Sequence, residues 1–399
     1  MTTLQDTIRQ QARDLFPEMV SIRRHLHRHP ELSKMEFQTM EYVCARLTEY
    51  GIPFKSGVAG TGVVAILNGK NPASRCIGLR ADMDALPIQE INDVGYKSMN
   101  PGVMHACGHD VHTTCLLGAA RILKTLANEW EGTIKLFFQP SEETYPGGAV
   151  GMIMEGVLED PKPSFVIGQH VFPLLNAGQA GFRPGLFMAS TDEFYLTVKG
   201  KGGHGAMPNM AIDPILIASH IVIALQQIVS RNANPLVPTV VTIGKIVGEG
   251  RTNVIPGEVR MDGTVRTFDE GWRKQVHEKI RTLASKTAEA MGGTCEVRID
   301  AGYPYLDNNP ELTARLRALA GSYLGNENAV EVDQKMGAED FAYFAQAVPS
   351  CFYALGIANK ALGIRGNLHT PDFNVDENAI ATGMGLMAWF AVNLMQETK

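Results

Sequence analysis

Cysteine is scarce: six residues (Cys44, Cys76, Cys107, Cys115, Cys295 and Cys351) are scattered over 399. That is too thin for a disulfide framework and fits a reducing compartment, so the cytoplasm is the default location. A basic excess is also missing. The net charge of −6 argues against a nucleic-acid binder, which would normally show a basic face. No run of about 18 apolar residues reads as a membrane span, and no basic amphipathic stretch marks a membrane surface. The polar start Met1-Thr-Thr-Leu-Gln-Asp lacks the apolar core of a secretory signal. Gly57-Val-Ala-Gly-Thr-Gly62 has the wrong spacing for a dinucleotide-binding turn. In Gly200-Lys-Gly-Gly-His-Gly205, Lys201 is followed by glycine rather than Ser or Thr, which excludes a P-loop. Internal repeats and low-complexity segments are absent too.

What is present is an ordinary globular composition, 45% hydrophobic and 20% charged, on a chain long enough for two domains. Two helices open the sequence, through Ile8–His27 and Glu36–Tyr50. Strands at Gly62–Leu67, Cys76–Arg80, Thr133–Phe138 and Phe165–Gly168 then alternate with helices at Thr113–Leu126 and Ala149–Gly156. This rhythm predicts a doubly wound α/β sheet. The middle differs. Strands at Thr191–Val198, Val240–Val247, Val259–Thr267 and Cys295–Ile299 accompany helices at Pro214–Val229 and Trp272–Met291, a compact α+β unit. An apolar helix at Ala379–Met395 closes the chain. The expected organisation is a discontinuous catalytic domain, residues 1–185 and 299–399, with an inserted α+β domain, residues 186–298.

Polar residues fall where the strands end. Ligands of open α/β sheets sit beyond the carboxyl ends of strands. Cys76–Arg80 runs into Asp82-Met83-Asp84, Thr133–Phe138 into Gln139-Pro-Ser-Glu142-Glu143, and Phe165–Gly168 into Gln169-His170. Between the first two lies Met104-His-Ala-Cys107-Gly-His109-Asp110-Val-His112. Cys107 and His109, separated by glycine, can reach one transition metal. They can equally be a buried thiol beside a helix cap, or a nucleophile with its base. Adjacent Glu142 and Glu143 can share work, one on a metal and the other taking a proton from water; the plain alternative is a solvated acidic pair. Asp82 and Asp84 share one side of an extended segment and suit ligand, orienting or turn roles. His204 is presented by a glycine-rich loop, and His369 stands alone before Thr-Pro. His25, His27 and His29 spread over different helix faces and read as structural. The methionines read as core filler.

Arg-Ala-Asp-Met-Asp-Ala-Leu-Pro (80–87), Met-His-Ala-Cys-Gly-His-Asp (104–110), Gln-Pro-Ser-Glu-Glu (139–143), His-Gly-Ala-Met-Pro (204–208) and Leu-His-Thr-Pro (368–371) occur in this order. Together they resemble the aminoacylase-like metallopeptidases, in the branch of hippurate hydrolases, N-acyl-amino-acid amidohydrolases and indole-acetyl-amino-acid hydrolases. The resemblance spans nearly the whole chain. It implies a zinc-exopeptidase-like catalytic domain and an insert acting as a lid, often for dimerisation. It also implies two divalent ions (Zn, Mn, Co or Ni) on Cys107, His109, Glu143, His170 and His369, with Glu142 as general base. His204 would polarise the scissile carbonyl, in its own or a neighbouring subunit's site, and Asn253 would contact substrate. The wider superfamily has His-x-Asp where this chain has Asp82-Met83-Asp84. No histidine ligand is carried there, and Asp84 keeps an orienting role. The implied reaction is hydrolysis of a small N-acyl amino acid, hippurate-like or N-acetylated, by a homodimer or higher homo-oligomer. A dipeptidase or aminopeptidase on the same scaffold, or a metal-holding protein without catalysis, are the rival expectations.

Overall fold

The computed structural model describes residues 3–364 and 367–396. Packing divides the chain into two compact units. One comprises Met1–Phe187, Asp307–Asp333 and Asp340–Lys399, the other Met188–Leu306 with Gln334–Glu339.

The first unit is built on an eight-stranded sheet. Its order is Phe54–Val58, Gly62–Asn68, Thr133–Gln139, Cys76–Asp82, Val166–Asn176, Ser350–Ala358, Ala180–Phe182, Ala329–Glu331. Thr133–Gln139, Cys76–Asp82, Val166–Asn176 and Ser350–Ala358 run parallel, so their carboxyl ends share one edge. After Cys76–Asp82 the chain crosses first to one neighbour and then to the other, which makes a switch point at this strand. Side-chain alternation along Thr133–Gln139 feeds both faces. Ile134, Leu136 and Phe138 join the core cluster that contains the helix His109–Thr125. Phe137 points the other way and stacks on Phe344 of the helix Ala342–Ala347 at 5.5 Å. Helices therefore cover both faces, as the strand–helix rhythm predicts.

Three helices, Leu4–Arg28, His109–Thr125 and Asn378–Gln396, pack on one another over the sheet. Met384, Met387 and Phe390 of the last are fully buried, each stabilising by about 1.5–3 kcal/mol. Asn378–Gln396 and Pro214–Asn232 are long and apolar enough to cross a bilayer by length and composition, where the sequence reading found no such run. The former is mostly buried as a core helix, and the latter buries one face on the second unit's sheet.

The second unit is a four-stranded antiparallel sheet, ordered Thr239–Val247, Glu258–Thr267, Asp192–Lys199, Thr294–Ala301. Phe194, Leu196 and Val198 bury against Ile217, Ile221 and Leu225 of Pro214–Gln227 and Val276, Ile280 and Ala284 of Glu270–Ala290. Both helices start on aspartate caps: Asp213 accepts from Ile215 N, and Asp269 from Trp272 N.

Two boundaries differ from expectation in ways that matter to the site. The helix expected from Thr113 begins at His109, directly after Gly108 in the left-handed region (φ +78°). Its first turn is polar yet buried, so the apolar pattern starts later than the helix does. The strand Ser350–Ala358, unassigned from sequence, occupies an inner position of the sheet.

Candidate metal centre

Four segments of the first unit meet at the carboxyl edge of the sheet. The loop entering His109–Thr125 carries Cys107 and His109, and the turn after Thr133–Gln139 carries Glu142 and Glu143. His170 lies on Val166–Asn176, and His369 comes from the segment before the last helix. Cys107 Sγ is 3.3 Å from His170 Nε2 and 3.2 Å from His369 Nε2. Glu143 Oε1 lies 3.4 Å from His369 Nε2 and 3.9 Å from His109 Nε2. The donor atoms form overlapping triads, each within 4.8 Å: Cys107 with His109 and His170, Cys107 with Glu143 and His369, and His109 with Glu142 and Glu143.

The imidazoles of His109 and His170 are each held in one orientation. His109 Nδ1 bonds Asp84 Oδ1 at 3.2 Å, and His170 Nδ1 bonds Val171 O at 2.8 Å. Both hydrogen bonds leave an Nε2 lone pair aimed into the cluster, the usual arrangement of a metal-binding histidine. Asp84 does more: its Oδ2 accepts from Ser33 Oγ at 2.6 Å and from Glu143 N at 2.9 Å. Asp82 Oδ2 lies 3.8 Å from His109 Nε2, and its carboxylate is bonded by Arg80 and by His112 Nδ1, 2.5 and 2.6 Å distant. His112 Nε2 accepts from Val171 N at 2.8 Å, tying Asp82 to the peptide beside His170. Asp340 completes this buried layer through Arg80, Gln139 and Ala149 N. His369 has φ +62°, and its N–H bonds Ala106 O at 2.9 Å, which sets it beside Cys107.

The turn before Glu142 is strained. Ser141 adopts φ +54°, a conformation costing a non-glycine residue about 1–2 kcal/mol. Strain of this kind concentrates at functional sites.

The electrostatics call for a cation. Burial and the neighbouring Glu143, Glu142 and Asp82 carboxylates push the Cys107 thiol well above its usual range. Burial would lower His109, but Asp82, Asp84 and Glu143 outweigh it and raise the ring to about 10. His170, further from those carboxylates, is pushed well below the usual histidine value, chiefly by burial. His109 Nε2 and Glu143 Oε1 are buried without a hydrogen-bond partner. Unpaired donor atoms facing one another amid excess negative charge fit divalent ions, and the thiol and imidazoles suit the softer transition metals. On these observations the residues fit a two-metal centre.

His204 and Asn253 lie on the second unit. His204 pairs with Val254 across two short strands, and Gly205 N bonds Asn253 O at 2.8 Å. His204 is exposed, with its Nδ1 accepting from Ala206 N at 3.1 Å. The expected site residues therefore form two groups: the ligand cluster with Glu142 and Asp84, and the His204–Asn253 pair.

Residues 78–393 match the profile of peptidase family M20/M25/M40. This chain belongs to that family. It is 41% identical over 393 residues to the IAA-amino acid hydrolase ILR1-like 4 of Arabidopsis thaliana, covering 97% of this chain and 88% of that one. It is 45% identical over 294 residues to an N-acyl-L-amino acid amidohydrolase of Geobacillus stearothermophilus, covering 74% and 79%. A Bacillus subtilis structure described as a dinuclear metal binding peptidase of the M20 family superposes with TM-score 0.82 at 32% identity, covering 97% and 100%. The resemblance drawn from the motifs holds, as does the doubly wound, zinc-exopeptidase-like class. The M20 chain is a metal-dependent hydrolase of amide bonds.

His112, Arg80 and Asp340 were not singled out from sequence. His112 lies inside a quoted motif, but its partner Asp82 is 30 residues away and its other bond is to a backbone N–H. Asp340 has no motif around it, and only the fold brings it to Arg80.

Proposed function

We propose that this M20 chain hydrolyses small N-acyl-L-amino acids, hippurate-like or N-acetylated, at a centre of two divalent ions (Zn, Mn, Co or Ni). Cys107, His109, Glu143, His170 and His369 hold the ions, and Glu142 is the general base. The supporting observation is one cluster in which the buried Glu142 carboxylate stands within 4.8 Å of donor atoms of His109 and Glu143. The names of the amidohydrolase relatives support the substrate class.

When bound, the ions supply Lewis acidity to the amide carbonyl and lower the pKa of water. Glu142 takes a proton from water as its oxygen bonds the carbonyl carbon, then returns that proton to the leaving nitrogen as the C–N bond breaks. A carboxylic acid and a free amino acid leave. Glu143 N and the His109 ring share Asp84, so one buried carboxylate keeps base and ligands in register. The bond from Ala206 N to His204 Nδ1 puts that ring's proton on Nε2, suited to donate to a scissile carbonyl oxygen in its own or a neighbouring subunit's site. Such a donor contributes about 3–4 kcal/mol to the transition state. Asn253 is the accompanying substrate contact.

Glu142→Gln should retain both metals, measured by plasma mass spectrometry, while kcat falls by orders of magnitude; near-normal turnover rejects the assignment. A panel of N-acetyl and N-benzoyl amino acids beside dipeptides, with and without chelator, separates amidohydrolase from dipeptidase and from a silent metal binder. The reading extends to a homodimer through the inserted domain. On Pro214–Gln227, Leu216 and Ile223 are 52% and 71% exposed, and the edge strand Thr239–Val247 presents Ile246. Light scattering should give twice 43.5 kDa; a monomer at working concentration removes this part. A cytoplasmic location accompanies it, supported by six free thiols.

A further inference from the structure

Glu36 is fully buried, and hydrolysis makes no use of it. It sits at the start of the helix Phe37–Glu49 without capping it. That task falls to Glu31, whose carboxylate accepts from Gln38 N and Thr39 N. The Glu36 carboxylate points instead at the turn that carries Glu142 and Glu143. Its Oε1 accepts from Ser141 N at 2.8 Å and from Ser141 Oγ at 3.2 Å, and its Oε2 accepts from Thr61 Oγ1 at 2.6 Å.

These bonds hold the one residue of the turn whose backbone is in a disfavoured region. Ser141 is also fastened elsewhere: its Oγ accepts from Lys34 N at 2.8 Å, and its carbonyl from Gly148 N at 3.0 Å. Two residues on, Glu143 N is fastened to Asp84. Glu142 is the residue between the two fastenings. If Ser141 relaxed to a negative φ, the chain direction entering Glu142 would swing away while Glu143 N stayed tied. The base would lose its aim first.

We infer that Glu36 is a positioning residue: its carboxylate keeps Ser141 in the left-handed conformation, and so aims Glu142 while Glu143 stays at the metal cluster. The inference rests on the roles proposed above for Glu142 and Glu143. Glu36 is too deep to touch substrate and acts wholly through Ser141.

Glu36→Gln keeps the shape but cannot accept from Ser141 and Thr61 together. Expected is a fall in kcat of about 10- to 100-fold, the size of effect that small misplacements produce, with KM nearly unchanged and two metals retained. The cobalt-loaded variant should show an altered visible spectrum, a readout independent of turnover. Ser141→Ala, which loses the Oγ bonds alone, should move kcat and spectrum the same way by less. The decisive variant is Glu36→Gln/Ser141→Gly. Glycine adopts the left-handed region freely, so the clamp becomes less needed and kcat should recover several-fold over Glu36→Gln. A merely structural Glu36 would lower the melting temperature without this rescue. All rates are normalised to the folded fraction by circular dichroism. The inference fails if folded Glu36→Gln turns over normally, or if the double variant is no faster than Glu36→Gln. Glu142→Gln in parallel separates the causes. Active Glu142→Gln rejects the underlying reading, whereas inactive Glu142→Gln with normal Glu36→Gln rejects the clamp alone.

Discussion

At the scale of single residues, the thiol sets this cluster apart from an all-oxygen and nitrogen site. Cys107 Sγ touches both His170 and His369, so its loss would remove the atom shared by two of the triads. Cys107→Ser should lower metal content below that of the parent protein. With cobalt bound, the near-ultraviolet thiolate-to-metal band of the parent should vanish in this variant; a band of undiminished intensity would show that Cys107 is not a ligand. Much of the cluster is readable from recognisable strands: Glu142 and Glu143 follow Thr133–Gln139, and His170 follows the apolar run that opens Val166–Asn176. The unread residues act at long range. Glu36 meets Ser141 across 105 positions, and Arg80 meets Asp340 across 260. No local pattern marks such a pairing. Asp82, whose role the sequence left open, is occupied by Arg80 and His112.

At the scale of elements, the start of the helix His109–Thr125 matters most. Gly108 lies between two proposed ligands at φ +78°, and a Cβ there would come within 2.5 Å of Val171 Cγ2. Gly108→Ala should therefore push Cys107 and His109 apart from the strand bearing His170. Expected are a stability loss of about 1–2 kcal/mol from the backbone alone and weaker metal retention against a chelator. Equal retention and an unchanged melting temperature would contradict this. The same helix begins ahead of its apolar pattern. His109, Asp110 and His112 are polar but buried, each bound to another buried group, so periodicity in hydrophobicity begins only at Thr113. Ser350–Ala358 was missed for the opposite reason. It is buried along nearly its whole length, between a parallel neighbour and an antiparallel one, and shows no alternation for a pattern to detect.

At the scale of the molecule, each unit has its own core and its own buried charges. In the second, Asp192 accepts from Arg273 Nε at 2.9 Å and from His277 Nε2 at 2.6 Å, and burial is outweighed so that its pKa drops to about 2. A carboxylate lowered by folding stabilises the fold above its unfolded pKa, and that contribution is lost as pH falls through the folded one. The stability gap between the parent protein and Asp192→Asn should thus be full at neutral pH and close between about pH 4 and pH 2, followed by calorimetry. A gap independent of pH would refute the assignment. Arg273→Met, which leaves the aspartate with only part of its partners, should cost about 3 kcal/mol. Four strand patterns beside two helical ones make this unit's α+β character legible. Its ion pair was not, because Asp192 and Arg273 are 81 residues apart.

The inner strand Ser350–Ala358 lies between Val166–Asn176 and Ala180–Phe182, and His369 follows it by only eleven positions. Without Ser350–Ala358, Val166–Asn176 and Ala180–Phe182 would have no strand between them. Of the proposed ligands, Cys107, His109, Glu143 and His170 precede this strand in the chain, and His369 alone follows it. One short stretch of chain thus delivers both the strand that fills the sheet and the last of the proposed ligands.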